Sequence, residues 1–168
     1  MAEKDKISSQ KVKRSGIFNF KDTYQFAYTL LKEQGYDITE GKYAEEITGD
    51  SKKISVSWIA TKKISDYFKI ELGIRWDIIN LKSVEAEKDG KRIKTNEGSI
   101  EIGINGILVK DYDSKWDTSP FTKFLRGLYE KFIIEGRVSQ YEGVVAEDVD
   151  NLAEQLKSFL TLEGLKLK

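Results

Sequence analysis

From Tyr67 to Asp111 apolar and polar residues alternate, and a period of two sustained over that length admits little but a pair of long β-strands. Phe68, Ile70, Leu72, Ile74, Trp76 and Ile78 alternate with Lys69, Glu71, Gly73, Arg75 and Asp77. The even phase returns at Val84 and Ala86 after an irregular Ile79-Asn80-Leu81. Asp89-Gly90 is the preferred pair for a two-residue hairpin turn, because both central residues need positive φ. The return strand reads Ile93, then Ile100, Ile102, Ile104, Gly106 and Leu108. Such a turn sets even positions against odd ones, as Ala86 against Ile93, yet further down both strands carry apolar residues at even positions. One extra residue must be absorbed, and Asn96-Glu97-Gly98 is its expected place, since glycine tolerates the strained conformation. Ile78 is then expected opposite Ile102 and Ile74 opposite Gly106, whose missing side chain would admit Trp76.

The rest of the chain supplies partners for this hairpin. A helix is predicted from about Asp22 to Gln34, with Asn19 as cap, Gly35 as terminator and Tyr24, Ala27, Tyr28 and Leu31 on its apolar face. A strand from about Glu40 to Thr48 turns at Gly49-Asp50 into a second at Lys53–Lys62, where Ile54, Val56, Trp58 and Ala60 share a face. Ser119-Pro120 opens a helix with Phe121, Phe124, Leu125, Leu128, Phe132 and Ile133 along one side. Gly136 is expected to interrupt it, Ser139 and Glu142 to cap the next turn, and a final helix carries Val145, Val149, Leu152, Leu156 and Leu160 to a stop at Gly164. The fold class is therefore α+β: an N-terminal helix, an antiparallel sheet of about four principal strands with one long bulged hairpin, then two C-terminal helices packed on the sheet. Trp58, Ile70, Leu72, Ile74, Trp76, Ile102 and Ile104 are expected to be buried together. Residues 1–16 are polar and basic and read as a disordered tail, with 17–168 forming one domain.

Two absences bound the chemistry. The 168 residues include no His and no Cys. That excludes thiol catalysis, histidine-based triads and the usual zinc and iron centres. Lys+Arg and Asp+Glu both number 28, so no global field draws in nucleic acid or an anionic membrane. A local patch would be required, and Lys11-Val12-Lys13-Arg14 in the tail is the candidate phosphate-contacting arm. No apolar run is long enough to span a bilayer, and the N-terminus has no signal-peptide core. A cytoplasmic protein without membrane insertion is expected, and the Lys-, Glu- and Ile-rich composition fits a thermophile.

Individual constellations carry little chemistry. Asp111, Asp113 and Asp117 are spaced like cation ligands, but an EF-hand loop would need Gly and Glu where Trp116 and Thr122 stand. Glu45, Glu46, Asp66 and Asp77 have no spacing that pairs them. Gly73, Gly103 and Gly106 lie on strands and make no phosphate loop. Arg126, Lys131 and Arg137 are interleaved with Glu130 and Glu135. No catalytic, cofactor or metal residue is assigned, and no enzymatic activity is expected.

The segments Ser65-Asp66-Tyr67-Phe68-Lys69-Ile70 and Ser119-Pro120-Phe121-Thr122-Lys123-Phe124-Leu125-Arg126-Gly127-Leu128-Tyr129 resemble uncharacterised archaeal α+β proteins of similar length, a resemblance that implies no activity. The order of a sheet followed by two helices is similar to RNA-phage coat proteins, without a shared motif. The helix-grip lipid-binding pattern, with two helices after its first strand, is not matched. A non-enzymatic binding or assembly module acting through protein–protein contacts, including self-association to a dimer, is the expected function. The surface expected to contact that partner is the hairpin tip, Glu85, Glu87, Lys88, Asp89, Lys91, Arg92 and Lys94. The competing expectation is a small apolar-ligand binder with a cavity between sheet and helices, lined by Trp58, Trp76, Trp116 and other aromatics.

Overall fold

A computed structural model describes residues 3–112, 119–132 and 135–166. Five antiparallel strands, β1 (Glu3–Phe18), β2 (Asp37–Thr48), β3 (Ser51–Lys63), β4 (Phe68–Lys88) and β5 (Lys91–Lys110), form one sheet in the order β1-β5-β4-β3-β2. Helix α1 (Phe20–Glu33) follows β1, while α2 (Pro120–Phe132) and α3 (Glu135–Lys166) follow β5. The chain is α+β, as its pattern predicts, with five strands rather than four.

The additional strand is the segment expected to be a disordered tail. β1 pairs along β5 from Glu3 opposite Lys110 to Phe18 opposite Asn96. Its inward positions include Val12 and Phe18, which are buried, but also Ser8, Gln10, Arg14 and Gly16. Gln10 and Arg14 meet α3. Gln10 Nε2 donates to Asp150 Oδ1 at 3.0 Å, and the Arg14 guanidinium lies against Gly164 where any Cβ would collide with it. Hydrogen bonds to β5 and polar contacts to α3 order a strand that shows no apolar alternation.

The hairpin of β4 and β5 turns at Asp89-Gly90, both at positive φ (52° and 79°), as a two-residue turn of this type requires. One extra residue is present, but on the opposite strand from the one expected. Ile79 pairs with Ser99 and Lys82 with Glu97, so Asn80 and Leu81 together oppose Gly98. Asn80 takes the left-handed conformation, φ 54°. Gly98 faces the bulge instead of containing it: a Cβ there would sit 2.9 Å from Ile79 O and 3.0 Å from Asn80 O. The register consequently places Ile78 opposite Ile100, Trp76 opposite Ile102, Ile74 opposite Ile104 and Leu72 opposite Gly106. Parity is as expected; the pairing is shifted by two.

All seven residues expected to be buried together are buried. α1 lies over β3 and β4, where Tyr24 packs on Trp58 and Trp76, and Trp58 Nε1 donates to Tyr24 Oη at 2.7 Å. Asn19 Oδ1 caps α1 by accepting from Asp22 N at 2.9 Å. α3 runs the length of the sheet over β1 and β5, burying Val145, Val149, Leu152, Leu156 and Leu160 at helical spacing. Gly136 lies in the first turn of α3, beside residues 133–134, which fall outside the described residues, while Ser139 lies within α3 and caps nothing there. The gap at Gly106 is filled by this helix and not by Trp76, since a Cβ there would lie 2.5 Å from Val149 Cγ2 and 2.7 Å from Val145 Cγ1.

The opposite face of the sheet faces solvent, as antiparallel sheets allow. It carries ion pairs and small residues, such as Lys11 and Lys13 on Glu101, and Arg75 on Asp77.

Candidate binding surfaces

Among the described residues no group of His, Cys, Asp or Glu could hold a metal ion. Asp111 is buried, and Arg126 Nη1 approaches its Oδ2 at 3.8 Å. Asp113 and Asp117, with Trp116, lie outside the described residues. Asp77 accepts from Ser55 Oγ at 2.8 Å and Arg75 Nε at 3.1 Å, and Glu45 pairs with Lys52 at 3.0 Å. Three lysines of β1 are paired, Lys4 with Glu71 and Lys11 and Lys13 with Glu101, while Arg14 lies beneath α3 with its Nε buried and without a hydrogen-bond partner. In place of the phosphate-contacting arm there is a strand whose Lys11 and Lys13 are paired with Glu101 within the fold.

A partly buried polar contact joins the end of α1 to the middle of α3. Tyr36, buried just past α1, donates to Asp148 Oδ2 at 2.5 Å, and Lys62 Nζ stands 3.5 Å from the same oxygen and 4.8 Å above the Tyr36 ring. Burial, then the bond to the Asp148 carboxylate, raises the Tyr36 pKa well above its ordinary 10.0. Burial likewise pushes Tyr24 up to about 12, partly offset by the bond from Trp58. The folded chain thus holds these phenolic protons more tightly than the unfolded chain does. Their stabilising contribution is complete below pH 10 and is lost progressively as pH rises above it. Tyr36→Phe should lower stability at neutral pH yet lessen the alkaline loss; urea titrations on either side of about pH 10 check this.

Both edges of the sheet are protected. β1 has an extra residue at Ile7, between the Lys6–Ile107 and Ser8–Gly106 pairs. β2 has one at Gly41-Lys42, between the Glu40–Trp58 and Tyr43–Val56 pairs, and carries Glu40, Lys42, Glu45 and Glu46. Bulges and charges on an edge disfavour pairing with another strand.

The hairpin tip is placed differently. Pairing to β1 ends at Asn96 and pairing to β3 at Leu81, so from Val84 to Thr95 β4 and β5 continue as a two-stranded ribbon. One side of this ribbon is held down. Ala86 and Thr95 are buried, Thr95 Oγ1 donates to Phe18 O at 3.3 Å, and Lys88 Nζ lies 3.5 Å from Glu163 on α3. The ribbon extends past its neighbouring strands, but it does not stand clear of the body, since its inner side meets the end of α3. The outer side sets Glu85 opposite Lys94 and Glu87 opposite Arg92, and Arg92 also approaches Glu85 at 3.7 Å. Glu85, Glu87, Asp89, Lys91, Arg92 and Lys94 are exposed and Lys88 is half-buried.

At the other end of the sheet sits α2, not over the face as expected but beside the first residues of β1 and β4. Ser119 Oγ caps it by accepting from Thr122 N at 3.2 Å. Arg126 anchors it: Nη2 donates to Glu3 Oε2 at 2.7 Å and Nε to Tyr67 Oη at 3.2 Å, while Tyr129 packs edge-on against Tyr67. With that polar side turned to the protein, the apolar side faces water. Phe121, Phe124 and Leu128 are 67%, 62% and 38% exposed. Sequence periodicity finds this face but cannot say which way it points.

A cleft of about 390 Å³ lies between the start of α1, the β2–β3 hairpin and the bulge in β4, floored by Phe20, Tyr43, Ile54 and Leu81. The layer between sheet and helices is occupied by packed rings, with Trp58 and Trp76 centred 5.1 Å apart. No described helix is long and apolar enough to cross a membrane. No protein-family model, curated protein or solved structure matches the chain.

Proposed function

We propose that the chain is a non-enzymatic binding and assembly module that acts through protein–protein contacts made by the Val84–Thr95 ribbon. The observation that carries this reading is the ribbon's loss of both neighbours: past Leu81 and Asn96 the outer backbone edges of β4 and β5 are no longer paired within the sheet. Such ribbons have little stability alone, and this one is held by Lys88 on Glu163 of α3 and by Thr95 on the Phe18 carbonyl. A ribbon with open edges and a mixed-charge outer side suits a protein partner, including a second copy. The sheet edges proper, bulged and charged, suit one less. A ligand cavity between sheet and helices is less well supported, because aromatic rings fill that layer.

Replacing Glu85–Lys94 by a tight turn tests the reading. Oligomeric mass by native mass spectrometry and partners retained in pull-downs should both change, while circular dichroism stays that of the parent. A trimmed protein that folds and keeps the same mass and partners would show the ribbon to be a solvated loop.

A further inference from the structure

A strand that outruns its neighbour leaves backbone N–H and C=O groups unpaired, and such groups can accept another strand. On the ribbon the register shows which they are. The i to i+3 bond of the Asp89-Gly90 turn joins Lys88 to Lys91. From there hydrogen-bonded and non-hydrogen-bonded pairs alternate. Lys88, Ala86 and Val84 therefore direct their backbone groups to β5, whereas Glu87 and Glu85 turn theirs outward from β4. By the same count Arg92 and Lys94 turn theirs outward from β5.

The open positions thus sort by charge, acidic on the β4 edge and basic on the β5 edge, and all four side chains are exposed. Arg92 leans to within 3.7 Å of Glu85, while Glu87 makes no ion pair among the described residues. The corners below the two edges also differ. Beside β5 the chain turns from β1 into α1, and the bonds from Thr95 to the Phe18 carbonyl and from Phe20 N to Asn96 tie that corner to the body. Beside β4 lies the open cleft of about 390 Å³, bordered by Lys82 and Ser83.

What can pair with the β4 edge is narrowed by its charges. A second copy joined edge to edge across a two-fold axis would set Glu85 and Glu87 beside their own counterparts, and like charges directly opposite are destabilising. The sheet itself shows what suits a carboxylate at such a place. β1 is an edge strand laid along β5, and its Lys11 and Lys13, two positions apart, both reach Glu101, at 3.1 and 3.8 Å.

We infer that the outer edge of β4 at Glu85 and Glu87 takes up, as an added strand, an extended segment of a different protein that carries Lys or Arg at two positions two residues apart. This rests on the ribbon reading above and supplies the partner's chemistry. Backbone bonds give the affinity, and the two carboxylates select the cations opposite them.

Fluorescence anisotropy with the full chain reads the binding of three labelled peptides: Thr-Thr-Lys-Val-Lys-Thr-Thr, its counterpart with Glu for Lys, and the basic peptide N-methylated on the backbone at both lysines. Only the first should bind, more weakly as salt rises. Glu85→Gln/Glu87→Gln should weaken it about tenfold, and Glu85→Lys/Glu87→Lys should turn the preference to the acidic peptide, both with the parent's circular dichroism. Four results overturn the inference: no binding of the basic peptide, equal binding of the acidic one, equal binding of the N-methylated one, or a folded glutamine variant that binds as the parent does. If replacing Glu85–Lys94 by a tight turn removes pull-down partners while the parent ignores the basic peptide, the ribbon reading stands and this inference alone fails. A dimer in analytical ultracentrifugation that the same trimming dissociates would assign the edge to a second copy and overturn it as well.

Discussion

Trp76→Ala should cost the fold about 3–5 kcal/mol, the range for deleting a large buried aromatic. The residue is fully buried, and Phe20, Tyr24 and Trp58 all pack on its ring, with centroids 5.1 to 6.4 Å away. The hole would open between α1 and the middle of the sheet, where rigid rings collapse poorly. Trp76→Phe separates ring packing from the indole N–H. Trp76 Nε1 is buried without a hydrogen-bond partner, unlike Trp58 Nε1, which donates to Tyr24. Removing an unpaired buried donor recovers its desolvation cost, so the phenylalanine variant should lose much less than the alanine variant. Chemical denaturation of the three proteins decides; equal losses for Phe and Ala would place the energy in the part of the indole ring system that phenylalanine lacks.

The second large effect is expected at a residue with no side chain. Gly106→Ala should destabilise by about 1–3 kcal/mol, because the new methyl would meet Val145 and Val149 well inside contact distance. Both are β-branched residues on a helix, where one χ1 rotamer dominates, so neither can turn aside. α3 itself must lift from β5. Gly106→Ala with Val149→Ala should recover part of the loss, and a double-mutant cycle measures how much. Additive losses would mean that the helix already stands clear of the sheet at this point.

These two sites differ in how far the sequence discloses them. Trp76 sits in an unbroken alternation, and such a strand reveals its buried face without help from the rest of the chain. Gly106 lies in the same phase, but an absent side chain does not say which neighbour needs the space. The bulge is a similar case. Parity between the strands proves that one residue is extra but is the same whichever strand carries it, so Gly98 reads equally well as the bulge or as the residue that makes room for it. β1 was hidden for a different reason: Ser8, Gln10 and Arg14 face inward toward α3, so no apolar period exists to be read. For α2 the apolar stripe is plain in the sequence, whereas its direction is set by Arg126 reaching Glu3, a contact between residues 123 positions apart. The ribbon shares this property: its extent depends on where β1 and β3 stop, which local pattern does not record.

The pairing of β1 with β5 also bears on how the chain reaches its fold. Phe18 is joined to Asn96 and Glu3 to Lys110, so β1 closes a loop of roughly a hundred residues, while every other strand pair is linked by a short turn. The four-strand meander can assemble by successive local hairpins; β1 cannot dock before β5 exists. During synthesis a long, lysine-rich strand therefore leaves the ribosome well before its template. Its polar inward positions, a poor recipe for a sheet core, keep it from clustering with other nascent chains while it waits.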